Sequence, residues 1–272
     1  MELSVEFLII FAFILFFSAL IQGSIGFGFP LISTPLLAMV TDMKTAVLYV
    51  AIPTLLINII SIFSEGNFLQ ALKRFYPLAI MGMIGSAIGT QILIYSSSEI
   101  FKLLLAVSIL FYLFIQKLKF EMAWVNKKPK LAIVVFGFTA GIIGGLTNVM
   151  ALVLIIYSLE SKHSRKEVIQ SSNLCFLFGK IVQIIIFAIH GSFTQELLTI
   201  SFSSLLFVLV AVVVGLKIKN KIPQDNYNKV IKVFLFLMAI ALIYQTILQL
   251  RCFYSIFTFP YSQRFYIIFN HS

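Results

Sequence analysis

Two glycine-rich strings hold the residue types best suited to chemistry, Gly23-Ser-Ile-Gly-Phe-Gly-Phe-Pro30 and Gly141-Ile-Ile-Gly-Gly-Leu-Thr-Asn148. Each interrupts a long apolar stretch. An interrupted helix in hydrocarbon strands backbone N–H and C=O groups at several kcal/mol apiece, so such breaks persist only against protein or a wet cavity. Pro30 suits the first turn of a helix whose amides would be free from Gly28 to Ile32, and Thr147 or Asn148 is placed to cap the matching helix. Helix starts of this kind attract anions through unpaired donors and the positive end of the dipole. Gly23, Ser24, Gly26, Gly28, Pro30, Gly144, Gly145, Thr147 and Asn148 are therefore candidate anion-binding residues. Glycine also serves simply to let helices approach. That reading is preferred for Gly82, Gly85 and Gly89, on one helix face, whereas Gly-Phe-Gly-Phe-Pro makes a poor packing motif.

Lys180 is the one basic residue that falls outside the polar connections, in an apolar run from 167 to 189. Placing it in a bilayer costs about 2.5–3.5 kcal/mol. All ten carboxylates (Glu2, Glu6, Asp42, Glu65, Glu99, Glu121, Glu160, Glu167, Glu196, Asp225) lie at or near segment ends, so none is an obvious partner. Either a transported anion fills that role, or the lysine snorkels or bonds backbone carbonyls. Gln183 and Asn173 share its helix face, and Asn58 occupies the position corresponding to Gln183 in the first half of the chain. Asn58, Asn173, Lys180 and Gln183 complete the candidate substrate-binding set. Proton and sodium coupling usually employs buried Asp or Glu, and no such relay is visible. Outward movement of an anion from a cell that is negative inside needs none, since the potential supplies about 2.3 kcal/mol per charge per 100 mV, a gradient of roughly fiftyfold.

Other chemistry finds little support. His163 and His190 fall in connections and His271 in the tail; the two cysteines, Cys175 and Cys252, form no Cys/His cluster; and no HExxH, GxSxG or Walker string occurs. The sequence predicts neither an enzyme nor a metal or other cofactor.

The elements that must position these residues are membrane helices. Hydrophobic residues make up 60% of the chain and charged ones 11%, against roughly a quarter charged in soluble domains. Apolar runs fall near 5–22, 29–40, 45–63, 75–95, 100–118, 131–143, 148–159, 167–189, 197–216 and 229–250. Several reach the length of about 18 residues or more that crosses a bilayer, while 29–40, 131–143 and 148–159 are short pieces of the interrupted stretches. The net charge of +10 sits in the connections, so it reads as topology signal, with the lipid bilayer rather than nucleic acid as partner.

The chain repeats itself. Setting Gly23 on Gly141 brings Gly26 onto Gly144 and Asp42 onto Glu160, and Ser64-Glu-Gly-Asn-Phe68 matches His190-Gly-Ser-Phe193. The expected organisation is a first repeat over 1–118, a junction over 119–130 holding Trp124 as an interfacial anchor, a second repeat over 131–250, and an aromatic tail over 251–272. If each interrupted stretch crosses once, the Lys and Arg of the connections divide nine against ten and give no orientation. If each is instead a hairpin that returns to its own side, only Lys44, Lys102, Arg251 and Arg264 remain on one side and fifteen gather on the other. That strong bias places the junction in the cytoplasm and both termini outside. The expected fold is thus an all-α polytopic bundle of two inverted repeats, each a glycine-broken hairpin followed by three spanning helices, a known transporter plan.

The string Gly23-Ser-Ile-Gly-Phe-Gly-Phe-Pro-Leu-Ile-Ser-Thr-Pro-Leu-Leu37 resembles the first glycine-rich motif of the sulfite exporter TauE/SafE family, and Gly141-Ile-Ile-Gly-Gly-Leu146 resembles the start of its second. The likeness extends to about residue 250. After it the family often adds glycine and then proline, where this chain has Thr147-Asn148-Val149-Met150. The resemblance implies movement of sulfite, sulfonates or related sulfur anions, usually outward, across a bacterial inner membrane. The rival expectation is a non-transporting membrane scaffold or assembly factor, in which the glycine breaks would be packing points only.

Overall fold

The computed structural model describes residues 5–96, 98–115, 122–219, 233, 236–237 and 239–247. Among them every regular element is an α-helix: α1 (Val5–Ile25), α2 (Phe29–Val40), α3 (Met43–Ser64), α4 (Phe68–Tyr95), α5 (Ser98–Ile115), α6 (Ala123–Lys127), α7 (Pro129–Thr147), α8 (Ala151–Glu160), α9 (Arg165–Ile189) and α10 (Gln195–Ile218). Residues 239–247 are helical as well. Six of these helices, α1, α3, α4, α7, α9 and α10, are long and apolar enough to span a membrane. Large apolar side chains such as Ile9, Phe13, Ile185, Phe202 and Leu206 point outward from them, as lipid-facing residues do. The expected tail, 251–272, lies outside the described residues, as do 116–121 and 220–232 within the connections.

Helix ends follow local chemistry. Asp42 accepts the Thr45 amide at 3.1 Å to start α3, Ser164 and Glu167 form a reciprocal capping box at α9, and Thr194 accepts the Leu197 amide to start α10. Pro30 and Pro129 sit in the first turns of α2 and α7, where the missing N–H has no cost.

Close packing is built on glycine. A Cβ at Gly85, Gly89, Gly141 or Gly145 would overlap the backbone of the facing helix in the α4–α7 pair, and Gly23 meets Gly215 in the same manner between α1 and α10. These pairings are related: α1 and α7 open the two halves, while α4 and α10 hold corresponding places further along, so each opening helix packs against the other half. Between them α3 lies on α9.

Contacts at the helix ends fix which connections share an end of the bundle. Glu65 pairs with Lys219, Arg74 pairs with Glu167, Glu160 accepts the Met122 amide at 2.6 Å, and Gln170 donates to the Gly66 carbonyl at 2.7 Å. At the other end Tyr95 and His190 share a hydrogen bond of 3.0 Å. Connections that a single-crossing path would place on opposite faces therefore touch.

Two expectations are corrected. The second glycine string is not unwound: α7 runs unbroken through Gly141, Gly144 and Gly145 to Thr147, and the interruption is confined to 148–150. The backbone of α4 fills the groove that Gly141 and Gly145 leave, and Gly144 lies against the Met150 side chain, so they serve close packing instead. Lys102 is not in a connection but within α5, and is buried. A testable consequence is that Gly141→Ala forces Gly82 and Ser86 backbone away and costs about 1–3 kcal/mol. Thermal melting of the detergent-solubilised protein should show the loss, and Gly191→Ala, where nothing lies within 4 Å, should show only the smaller penalty of its positive φ.

Candidate functional site

Polar side chains in the interior gather at two nodes, one at each helix break. The first forms around Gly26 and Gly28, with φ of 100° and 120°, a region open to glycine and strained for other residues. Gln22, on the last turn of α1, organises it. Its Oε1 accepts the Phe29 amide at 2.8 Å, and its Nε2 donates to Asn173 Oδ1 at 2.8 Å and Ser61 Oγ at 3.1 Å. Asn173 in turn donates to the Gly26 carbonyl at 2.6 Å. The stranded backbone of the break is thus satisfied by two carboxamides from α1 and α9.

The second node forms where α7 ends. Asn148 takes a left-handed conformation, φ 62°, as the C-cap of α7, its amide bonding the Gly144 carbonyl at 2.9 Å. Its side chain accepts from Lys180 Nζ and donates to Thr34 Oγ1 of α2 at 3.1 Å. Lys180 also donates to Gln183 Oε1, and Gln183 Nε2 reaches the Gly145 carbonyl at 3.0 Å. Lys180 is 3% exposed and forms no ion pair among the described residues; two amide oxygens hold its ammonium group.

Helix α9 links the nodes. Asn173 and Lys180 are seven residues apart on one face of it, about 10 Å along the axis at 1.5 Å per residue. The first node lies nearer the Glu65–Lys219 end, since Gly26 rests on Ile169, four residues into α9; the second lies nearer the Tyr95–His190 end, since Gly145 packs on Ser86, Gly89 and Thr90 late in α4. Asn58, one turn before Ser61 on the same face of α3, is 1% exposed and its Nδ2 has no partner among the described residues.

The candidate residues divide accordingly. Gly26, Gly28, Pro30 and Asn173 meet at the first node; Gly144, Gly145, Thr147, Asn148, Lys180 and Gln183 meet at the second; Asn58 stands on α3. Gly23 faces the α10 backbone, and Ser24 Oγ bonds the Leu20 carbonyl at 2.8 Å, so both belong to α1 and its packing. The expected row of bare amides from Gly28 to Ile32 is corrected at two positions: Gln22 takes the Phe29 amide, and the Ile32 amide bonds the Gly28 carbonyl. Asn148 caps the end of α7 and not the start of α8. Asn173 serves the other node from Lys180, because sharing a face of α9 does not mean sharing a neighbour. Gln22, Ser61 and Thr34 were missed. An amide directly before the first glycine, inside an apolar run, was the one available signal.

Outside the spanning helices, His163 lies edge-on to Phe75 and Tyr157. Burial holds its pKa below the usual histidine range, with Glu167 opposing and Arg74 adding to the shift.

A multi-pass helical bundle whose interior carries interrupted helices, a buried lysine and carboxamides is the build of a membrane transport protein. The family model described as sulfite exporter TauE/SafE matches residues 10–242. The chain belongs to that family. No curated protein and no solved structure matches it.

The nodes make different demands on folding. Asn148→Gly keeps the left-handed backbone but removes an oxygen from Lys180, and should destabilise the protein by about 1–3 kcal/mol. Gln22→Leu leaves the Phe29 amide and Asn173 Oδ1 without their Gln22 partner and should cost a similar amount. Melting curves of the two variants and of the doubly substituted protein check both; near-additive losses are expected if the nodes are separate.

Proposed function

We propose that the chain is a secondary carrier for a small sulfur oxyanion, sulfite or a sulfonate, moving it outward across a bacterial inner membrane. The observation that carries this reading is Lys180. It is a buried cation held only by neutral oxygens of Asn148 and Gln183, so an arriving anion gains a full charge partner without displacing a carboxylate. Family membership supports the substrate class.

In this reading the repeats are 1–118 and 131–250, joined by a cytoplasmic segment over 119–130, and are inverted in the membrane. The gathering of Glu65, Arg74, Glu160, Glu167 and Lys219 at one end supports it, because that end holds the basic connections. Each node then lies toward a different face. The anion passes from the Asn173 node to the Lys180 node with the free Asn58 Nδ2 as a donor on the way, and the membrane potential drives it out.

The test is sulfite flux in proteoliposomes. Lys180→Gln keeps two polar atoms for Asn148 and Gln183 but no charge. It should lower sulfite binding about ten- to hundredfold, the worth of hydrogen bonds to a charged group, while the protein stays monodisperse. Undiminished flux removes Lys180 from the site. Asn58→Leu should slow flux without loss of stability, because it removes a buried donor that has no partner.

A further inference from the structure

A polar cleft of about 190 Å³ opens at the Glu65–Lys219 end of the bundle, between the first turns of α4 and α9. Arg74, Gln70 and Asn67 line one side, and Lys166, Glu167 and Gln170 the other. Four features set it apart from ordinary surface. Arg74, exposed and extending over the Phe75 ring, is paired with Glu167. Glu167 has other duties, since its Oε2 accepts the Ser164 amide at 2.7 Å and the Ser164 hydroxyl at 2.9 Å. Lys166 adds a second positive charge to the cleft, and Lys73, Lys162 and Arg165 stand nearby in sequence, so the potential at this mouth is positive. Finally, Gln170 is 5% exposed with its carboxamide on the Gly66 carbonyl. The stripe Lys166, Gln170, Asn173, Lys180 on α9 therefore runs from the open cleft past the first node to the buried lysine, with Leu177 as its single apolar rung.

We propose that this cleft captures the oxyanion before it enters the membrane interior, and that the Glu167 carboxylate stands in for that anion at Arg74 until the substrate displaces it. The guanidinium is the suited partner, since its planar fork takes either a carboxylate or a sulfur oxyanion through two parallel N–H···O bonds. Displacement does not unmake the helix start, because Glu167 keeps its bonds to Ser164 while releasing Arg74. The cleft thus exchanges one anion for another at Arg74, whose guanidinium keeps a partner throughout.

This inference deepens the carrier reading and rests on it for the identity of the probe. Its test uses the full chain in proteoliposomes and radiolabelled sulfite presented at the cleft face. Arg74→Gln should raise KM about two- to fivefold, the worth of an exposed ion pair. Glu167→Gln removes the competing charge yet retains a capping side chain, as Gln serves in a capping box. It should lower KM by a similar factor, with the maximal rate of transport from the cleft face unchanged in both. An Arg74–Glu167 pair that merely clasps α4 to α9 predicts shifts in the same direction for both variants, and that result, or no shift in either, overturns the proposal. Equilibrium binding of sulfite to the solubilised protein gives a readout independent of flux. Weaker binding in Arg74→Gln and tighter binding in Glu167→Gln support the capture site. Equal or parallel changes refute it even if the wild type moves sulfite. The expected ordering without wild-type flux leaves the cleft standing and removes the carrier reading alone.

Discussion

Backbone polar groups have no solvent in a bilayer, and every departure from a continuous helix must bring its own partners. That constraint governs this molecule's interior. Where α1 gives way to α2, the carboxamides of Gln22 and Asn173 stand in for the missing turn. Where α7 ends, Asn148 folds its amide back on Gly144 and turns its side chain inward. The polar residues of the core are there because the breaks require them, and Lys180 sits among groups already oriented for that purpose. On the proposed carrier reading, the binding site arises where structural need has gathered oriented dipoles in a dry place, so their electrostatic effect is larger than at a surface.

Glycine does two separate jobs. At Gly26 and Gly28 it permits a positive φ that would strain any other residue. At Gly85, Gly89, Gly141 and Gly145 it brings two backbones within touching distance while both helices remain continuous. Letters alone do not separate these uses. The first string contains Phe27 and Pro30, bulky or rigid neighbours that packing helices avoid, and it is broken. The second spaces Gly137, Gly141 and Gly145 four apart on one face, the spacing of a contact stripe, and it is helix.

Much of the fold was legible from the order of apolar and basic residues, because bilayer thickness and the charge bias across it act on composition directly. Lys180, Asn148 and Gln183 were legible for a related reason: polar groups at that depth are costly enough to stand out. Gln22, Ser61 and Thr34 were not, since an amide near a helix end and a hydroxyl bonded to its own helix are common and cheap. Nor could sequence show that Asn173 and Lys180 serve different breaks. A helical period states which residues share a face, while the neighbour at each height depends on how α3, α4, α7 and α1 pack around α9. Lys102 was misplaced because it falls at the edge of the 100–118 run, where a lysine reads as part of the preceding connection, while the helix that carries it already begins at Ser98.

Helix α9 touches both breaks, and it is one capped, uninterrupted rod of 25 residues. If it pivots about the stretch between Asn173 and Lys180, a tilt that pulls Asn173 off the α1–α2 junction presses Lys180 toward the α7–α8 junction, and the reverse tilt does the opposite. In such a pivot, loosening at one break is tied to tightening at the other through the stiffness of a single element.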